Sequence, residues 1–538
     1  MWSRFHIPDS KQRLRASCMV VAIVSLALAA FAPSSRPNYR TDDTMGAEAT
    51  GDSTRGALKH LIEDSNWQPS KAVLDWSALR RFYSSRDYEA AWTSSEDEEK
   101  VHDALAHADR EGLVSADYGA EIIKRPSNGN PVSQARYDLL LTNSLLRYAH
   151  DVRQGRVSAS QAYEDAALPG QHYDVIKELV LALSNGAVAD YLSSLPPQQE
   201  GYRGLRAALA HYREIAAQGG WPKIPARAET SLASDGRMQW LLTQRLAIED
   251  NALSPDERDP EQLHQAIAKF QQRHGLAAVG RLNTETIEAM NVSAAARATQ
   301  IALNMERWRW LPRSFGTRFV EVNVPSASLE AWDQGQVVLK SRVIVGREKD
   351  PTPLLRADAT AITVNPTWEI PQKIARKEIL PKVRRHGSYL RRHHMVVDRT
   401  SHRLRQLPGP DNALGSIKIE MPNRFNVYLH DTPGQTAFAS TERTESHGCM
   451  RVEQILPLAS FALSGTTDQA APDIQDAIAA RETQQISLPA PLPVYVVYWT
   501  ATATDDGAAQ FSPDPYDRDS RLQEALQKQV VASRVSML

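Results

Sequence analysis

Four stretches between residues 58 and 233 repeat apolar positions at three- and four-residue intervals: WSALRRFYSSRDYEAAW, VHDALAHADREGL, ARYDLLLTNSLLRYAHDV and GYRGLRAALAHYREIAAQ. That period lines one face of a helix, so the spacing predicts a helical unit over 57–235. SLPPQQEG interrupts it, because proline and glycine break helices. Over 236–292 the pattern stays helical in shorter pieces. EQLHQAIAKFQQRHGL is amphipathic through Leu263, Ile267 and Phe270; Gly275 ends it and Asn283 offers an N-cap to the next helix. ARATQIALNMERWRWLP predicts a connecting helix over 293–316. From residue 317 the period changes to two. RFVEVNVPS puts Val320, Val322 and Val324 on one face, and QVVLKSRVIVG, ATAITVNPTWEI, GSIKIEMPN, RFNVYLHDT and PVYVVYW read as further strands. A basic helical stretch interrupts this β region at about 370–410 and reads as a lid-like insertion. Residues 501–538 are polar and read as a poorly ordered tail.

A chain of 538 residues has room for several such units. Hydrophobic content of 42% and charged content of 23% are ordinary for a folded protein. A formal charge of −2 supplies no global field for nucleic acid. The start of the chain differs. Lys11, Arg13 and Arg15 precede an apolar run from Ala16 to Ala32, so 1–32 reads as a signal peptide or an uncleaved membrane anchor. Ala30-Phe31-Ala32 has the small-x-small form of a cleavage site, and Ala27-Leu28-Ala29 is another. The Ser-, Thr-, Asp-, Gly- and Pro-containing stretch 33–56 reads as a flexible linker. Membrane contact is expected through the N-terminal segment alone.

Export changes how the cysteines read. The chain has two, and Cys18 lies in the apolar run, which leaves Cys449 unpaired in the rest. Exported proteins usually pair their cysteines. An unpaired one is either buried filler or a thiol kept for its reactivity. Cys449 lies in TERTESHGCMRVE. A thiol attacks as a thiolate and needs a base nearby. His430 in FNVYLHDT is the better candidate. On a strand, Phe425, Val427 and Leu429 would face the core, and Tyr428 and His430 would share the other face. An imidazole and a phenol on one open surface suit acyl transfer, as proton acceptor and oxyanion donor. Gly448 permits a sharp bend, after which the amides of Gly448 and Cys449 could point together at an oxyanion. Ser446 and Arg451 are candidates for fixing the loop or holding a substrate carboxylate. His447 alone more often has a structural role. Zinc on Cys449, His447, His430 and Asp431 is the rival reading, but the spacing is not a usual zinc pattern. RRHH at 391–394 reads as a solvated basic face.

Two resemblances follow from these residues. Ala266-Ile267, Phe270-Gln271, Gly275-Leu276, Gly280, Leu282 and Thr286 resemble the pattern of small three-helix peptidoglycan-binding domains, mostly at core and turn positions. His430, fifteen intervening residues, Ser446-His447-Gly448-Cys449, Met450 and Arg451 resemble the signature of L,D-transpeptidases with a YkuD-type catalytic domain. VIVGREKDPTP, VNPTWEIPQKIARKEILPK and PGPDNALG look like the large multi-domain periplasmic members of Gram-negative bacteria. The fold implied is multi-domain α+β: a helical scaffold, a three-helix peptidoglycan-binding module over 236–292, and a mostly β catalytic domain over 317–500.

The resemblance implies Cys449 as nucleophile and His430 as general base. It further implies the Asp431 carbonyl orienting that ring, Tyr428 near the oxyanion hole, His447, Gly448 and Arg451 framing the loop, and Trp368 near the substrate cleft. It implies 3→3 cross-linking of peptidoglycan stem peptides through a thioester, in the periplasm, with no metal or organic cofactor. Other cell-wall synthesis enzymes are implied as further partners. Hydrolysis, D-amino-acid exchange, protein attachment, and an inactive wall-binding scaffold remain as alternatives.

Overall fold

A computed structural model describes residues 53–64, 74–127, 129–170, 173–226, 236–250, 253–254, 256–257, 259–464 and 474–535. The signal or anchor segment 1–32 and the linker up to residue 52 lie outside them. A helix, Thr54–Asp64, already begins within the stretch read as linker. Among the described residues no helix is long and apolar enough to cross a membrane.

Helices Trp76–Ser84, Ser95–Ala106, Pro131–Gln154, Val175–Ser184 and Val188–Ser194 form the scaffold around Phe82, Leu105, Leu139, Leu145 and Leu179. Their starts carry the local signals that begin helices. Asp75, Ser94, Asn130 and Asp174 each accept a backbone N–H of the first turn. The following helix, Glu200–Ala217, leaves this core. Its Tyr202, Leu205, Leu209 and Tyr212 pack with Ile301, Met305 and Trp308, and with Tyr495, Val497 and Phe511 of the β region.

The small module consists of Gly236–Asp250, Pro260–Arg273 and Thr284–Met290 around Leu242, Ile267, Phe270, Leu282 and Met290. Its motif residues are structural. Gln271 donates to Arg281 O (2.8 Å) and Thr286 Oγ1 (2.9 Å) and accepts the Gly280 amide (2.8 Å). Asn283 caps the last helix by accepting Thr286 N at 2.8 Å.

Fifteen strands are described, in chain order: β1 Ala166–Ala167, β2 Arg318–Asn323, β3 Ser328–Asp333, β4 Gln336–Gly346, β5 Leu354–Val364, β6 Trp368–Glu369, β7 Met395–Val397, β8 Leu404–Gln406, β9 Ile417–Glu420, β10 Leu429–His430, β11 Thr444–Ser446, β12 Met450–Val452, β13 Gln484–Val497, β14 Ala501–Ala503 and β15 Ala509–Phe511. Pairing runs β5-β13-β2-β3-β4-β12-β10-β9, and β9 pairs again with β5, so the sheet closes on itself. Val320, Val322, Val343, Ile362, Ile417, Leu429, Met450 and Val494 fill its interior with Leu458 and Ala459 of helix Ile455–Leu463. The opposite face of β2 and β13 is covered by Glu200–Ala217 and Ala294–Arg309, so alternation there does not mean exposure.

The insertion has its own small core of Ile370, Ile374, Ile379, Met395 and Leu404 under the sheet β6-β8-β7. The reading of 501–538 as a poorly ordered tail is corrected. β14 pairs with β15, and helix Arg518–Val535 follows, with Phe511, Tyr516 and Leu522 buried. The sequence looks polar because the groups buried here include charged ones. Arg518 is 2% exposed, and Asp519 meets Arg307 at 2.7 Å.

Candidate active site

β10 and β12 run parallel, with Leu429 opposite Met450 and His430 opposite Arg451. Leu429 and Met450 point into the core. Side chains alternate along a strand, so Tyr428 and His430 share the other face with Cys449 and Arg451. β9 adds Lys418 opposite His430. The Tyr428 and His430 rings lie 5.6 Å apart, and the Lys418 ammonium sits 4.3 Å from the Tyr428 ring centre. Lys418 was not among the expected site residues; the alternation Ile417-Lys418-Ile419-Glu420 was the signal for it.

His430 is held in one tautomer. Its Nδ1 lies 2.6 Å from Asp431 O, so Nδ1–H donates to that carbonyl and Nε2 keeps its lone pair. The Asp431 carboxylate fixes the neighbouring loop, with one oxygen accepting Ser416 N and Oγ (both 2.8 Å) and the other Thr432 N (2.7 Å). Gly415 makes this approach possible: its φ is +61°, and a Cβ there would stand 2.3 Å from Asp431 Oδ2.

The nucleophile turn is bound from several sides. Ser446 Oγ donates to Cys449 O (2.5 Å) and accepts the Gly448 amide (3.1 Å). The expectation that the Gly448 and Cys449 amides jointly face an oxyanion is therefore corrected. The Gly448 N–H is already committed within the turn, whereas the Cys449 amide has no partner among the described residues. Gly448 has φ +106°, a left-handed value that a side chain would strain. His447 turns away from the thiol and reaches the insertion, its Nε2 2.6 Å from Glu378. Glu378 also binds Arg347 at 3.3 Å. Trp368 and Cys449 both act on the Tyr428 hydroxyl, and Tyr428 and Cys449 pack against the same core. Arg451 is half-buried, and the charges acting on it come from Glu445 of the nucleophile loop and from Cys449.

Burial decides the charges. It pushes His430 down to about 3, and the positive charges of Arg451 and Lys418 act in the same direction. It pushes the Cys449 thiol up from the ordinary cysteine range, although the Tyr428 N–H and O–H bonds to sulfur oppose the shift. The Tyr428 hydroxyl is also raised by burial, so it stays a donor. At neutral pH both the Cys449 thiol and the His430 imidazole therefore rest uncharged. Iodoacetamide alkylation of Cys449 is thus expected to rise about tenfold per pH unit from pH 7 to 9, because only the thiolate reacts. A rate already at its plateau by pH 7 would indicate a thiolate–imidazolium pair and contradict this assignment.

Among the described residues no group of three or more His, Cys, Asp or Glu is placed to hold a metal ion. The residues of the zinc alternative are directed elsewhere: His430 to a carbonyl, His447 to Glu378, Asp431 to Ser416. Cavity volume does not mark the site. A cavity of about 670 Å³ lies in the scaffold beside His107, Tyr148 and Arg206, and one of about 760 Å³ lies between Tyr163 and Arg518; neither includes Cys449 or His430.

This fold and side-chain set define a domain class, and comparison with known families agrees. Residues 317–472 match the YkuD family, described as the L,D-transpeptidase catalytic domain. Residues 77–209 match a scaffold domain, and 238–290 match the "Putative peptidoglycan binding domain". The chain therefore carries a scaffold, a peptidoglycan-binding module and a YkuD-type catalytic domain, in an overall α+β architecture. A Haemophilus influenzae protein named "Putative L,D-transpeptidase" is 32% identical over 273 residues, which is 46% of this chain and 54% of that protein. The chain thus spans about half the length of this curated relative. Among solved structures, an L,D-transpeptidase from Stackebrandtia nassauensis is 15% identical, with 48% of this chain and 91% of that one covered at a TM-score of 0.20. A mutant L,D-transpeptidase from Enterococcus faecium is 12% identical, with 34% and 50% covered at a TM-score of 0.15.

Proposed function

We propose that this protein is a cysteine-dependent L,D-transpeptidase that forms 3→3 cross-links in peptidoglycan outside the cytoplasm. The observation that carries the reading is the shared face of β10 and β12. There Cys449 meets Tyr428, and His430 is held with Nε2 free by the Asp431 carbonyl.

The chemistry follows from that face. His430 Nε2 takes the thiol proton as sulfur attacks the carbonyl of the third residue of a tetrapeptide stem. The Cys449 N–H and the Tyr428 hydroxyl can donate to the oxyanion. Collapse expels the terminal D-alanine, whose amine receives the proton from His430, and leaves a thioester. The side-chain amine of a second stem, as diaminopimelate would supply, then attacks the thioester, loses a proton to His430 and returns the thiol. Arg451 is suited to pair with a stem carboxylate, because its fork matches carboxylate geometry. Trp368 borders the same surface from the insertion. The peptidoglycan-binding module would keep the enzyme on the polymer and raise the local concentration of stems.

The test is a product analysis of residues 47–538 with purified disaccharide-tetrapeptide. Dimers formed with loss of D-alanine are expected. Tripeptide monomers alone would make the protein a carboxypeptidase, and no turnover would favour a wall-binding role.

A further inference from the structure

Cys449's amide belongs to the same peptide plane as the Gly448 carbonyl. In a trans peptide the two point in opposite directions, so whatever fixes the carbonyl also aims the N–H. The Gly448 carbonyl is fixed by Thr352, whose Oγ1 lies 2.9 Å from it. Thr352 is fully buried. Its hydroxyl already accepts the Gly346 amide at 2.8 Å, so its one proton is directed to Gly448 O.

Thr352 is held in turn by the C-terminal segment. The Tyr516 hydroxyl accepts Thr352 N at 3.3 Å and donates to Gly346 O. Burial raises Tyr516, so it stays protonated and can do both. Arg518 reaches Thr352 O at 3.5 Å and pairs with Asp165, which anchors the start of the tail helix. Gly346 is required at the centre, since a Cβ there would stand 2.2 Å from Asp350 O.

We infer that Thr352 and Tyr516 are positioning residues that aim the Cys449 amide at the oxyanion, so the C-terminal segment is part of the acyl-transfer apparatus. This rests on the thioester reading of Cys449, but it concerns any acyl donor. It makes a distinction that mere support of the loop would not. Attack on a carbonyl needs the oxyanion donor, whereas alkylation by iodoacetamide builds no oxyanion.

The test compares two reactions of the same thiol in the full-length protein. In the first, the Cys449 sulfur attacks the carbonyl of p-nitrophenyl acetate, the thiol proton goes to His430, and p-nitrophenolate leaves. In the second, sulfur displaces iodide from iodoacetamide. Both are followed by mass spectrometry, with Cys449→Ala as background. Thr352→Val is expected to slow acetylation about 10- to 100-fold, less than the roughly 10²- to 10³-fold cost of removing an oxyanion donor outright, because the amide is misaimed rather than lost. Its alkylation rate should stay within about twofold of wild type. Thr352→Ser, which keeps the hydroxyl, should recover most of the loss. Tyr516→Phe should show the same split at about 3- to 10-fold, because it acts one bond further away.

Equal slowing of both reactions would reduce the two residues to loop support and overturn the inference. So would no change in either, or wild-type acetylation no faster than the Cys449→Ala background. A preserved split with no reaction on disaccharide-tetrapeptide would instead overturn the substrate reading and leave the positioning role standing.

Discussion

Cys449→Ser is expected to leave the fold intact and to lower kcat for cross-linking by at least about 10³-fold, the scale seen when a nucleophile is removed from a catalytic unit. The exchange is close in size, and Cys449 is only partly buried, so little packing is lost. Its effect is chemical. His430 is pushed down to about 3, which makes it a weak base. A weak base can accept a proton from a thiol during attack but far less readily from an alcohol, which is much less acidic. The readout is dimer formation by chromatography, with thermal unfolding followed in parallel. A serine variant within tenfold of wild type would remove Cys449 from the reaction.

Arg307→Ala is expected to cost about 3–5 kcal/mol, the range for stripping one partner from a buried ion pair. Arg307 is 2% exposed in helix Ala294–Arg309. Its guanidinium meets Asp519 at 2.7 Å, the Tyr163 hydroxyl at 3.0 Å and Asn304 Oδ1 at 3.2 Å. Tyr163 comes from the middle of the helical region and Asp519 from the C-terminal helix, so one side chain joins three distant parts of the chain. Removing it leaves Asp519, already pushed up to about 6 by burial, without its cation. Arg307→Met combined with Asp519→Leu should recover much of the loss, because no uncompensated charge remains. Urea unfolding of the single and double variants measures this. A single-variant loss below about 1 kcal/mol would mean that solvent reaches the carboxylate and replaces the arginine.

Much of this architecture is legible in periodicity. The change from three- and four-residue spacing to alternation near residue 317 separates the helical part from the closed sheet. The alternation of FNVYLHDT is enough to bring Tyr428 and His430 onto one surface, although only Leu429 and His430 are strand by hydrogen bonding. Three features escape such reading, each for a physical reason. Strand β3, SLEAWD, mixes polar and apolar side chains because it is only partly covered. Helix Ala294–Arg309 buries Glu306, Arg307 and Arg309, so its core contacts are hidden behind charged residues. The tail's anchors, Tyr516 and Arg518, act through hydrogen bonds to a threonine 164 and 166 positions earlier. No local pattern encodes contacts at that separation. The same holds for Glu378 on His447, 69 positions away.

The link between Asp165 and Arg518 spans 353 positions of sequence. Strand β1 pairs with β5, and Tyr163 bonds the Arg518 carbonyl at 3.0 Å, so the sheet carrying the thiol is bracketed by early and late segments. Contacts this distant in sequence form late, after the intervening chain has been ordered. A growing chain therefore exposes Cys449 well before Thr352 has Tyr516 behind it. Until residues 516–518 have been made and have docked, the thiol lacks its aligned amide. On the positioning role proposed for Thr352 and Tyr516, the order of folding thus acts as a clock for this thiol.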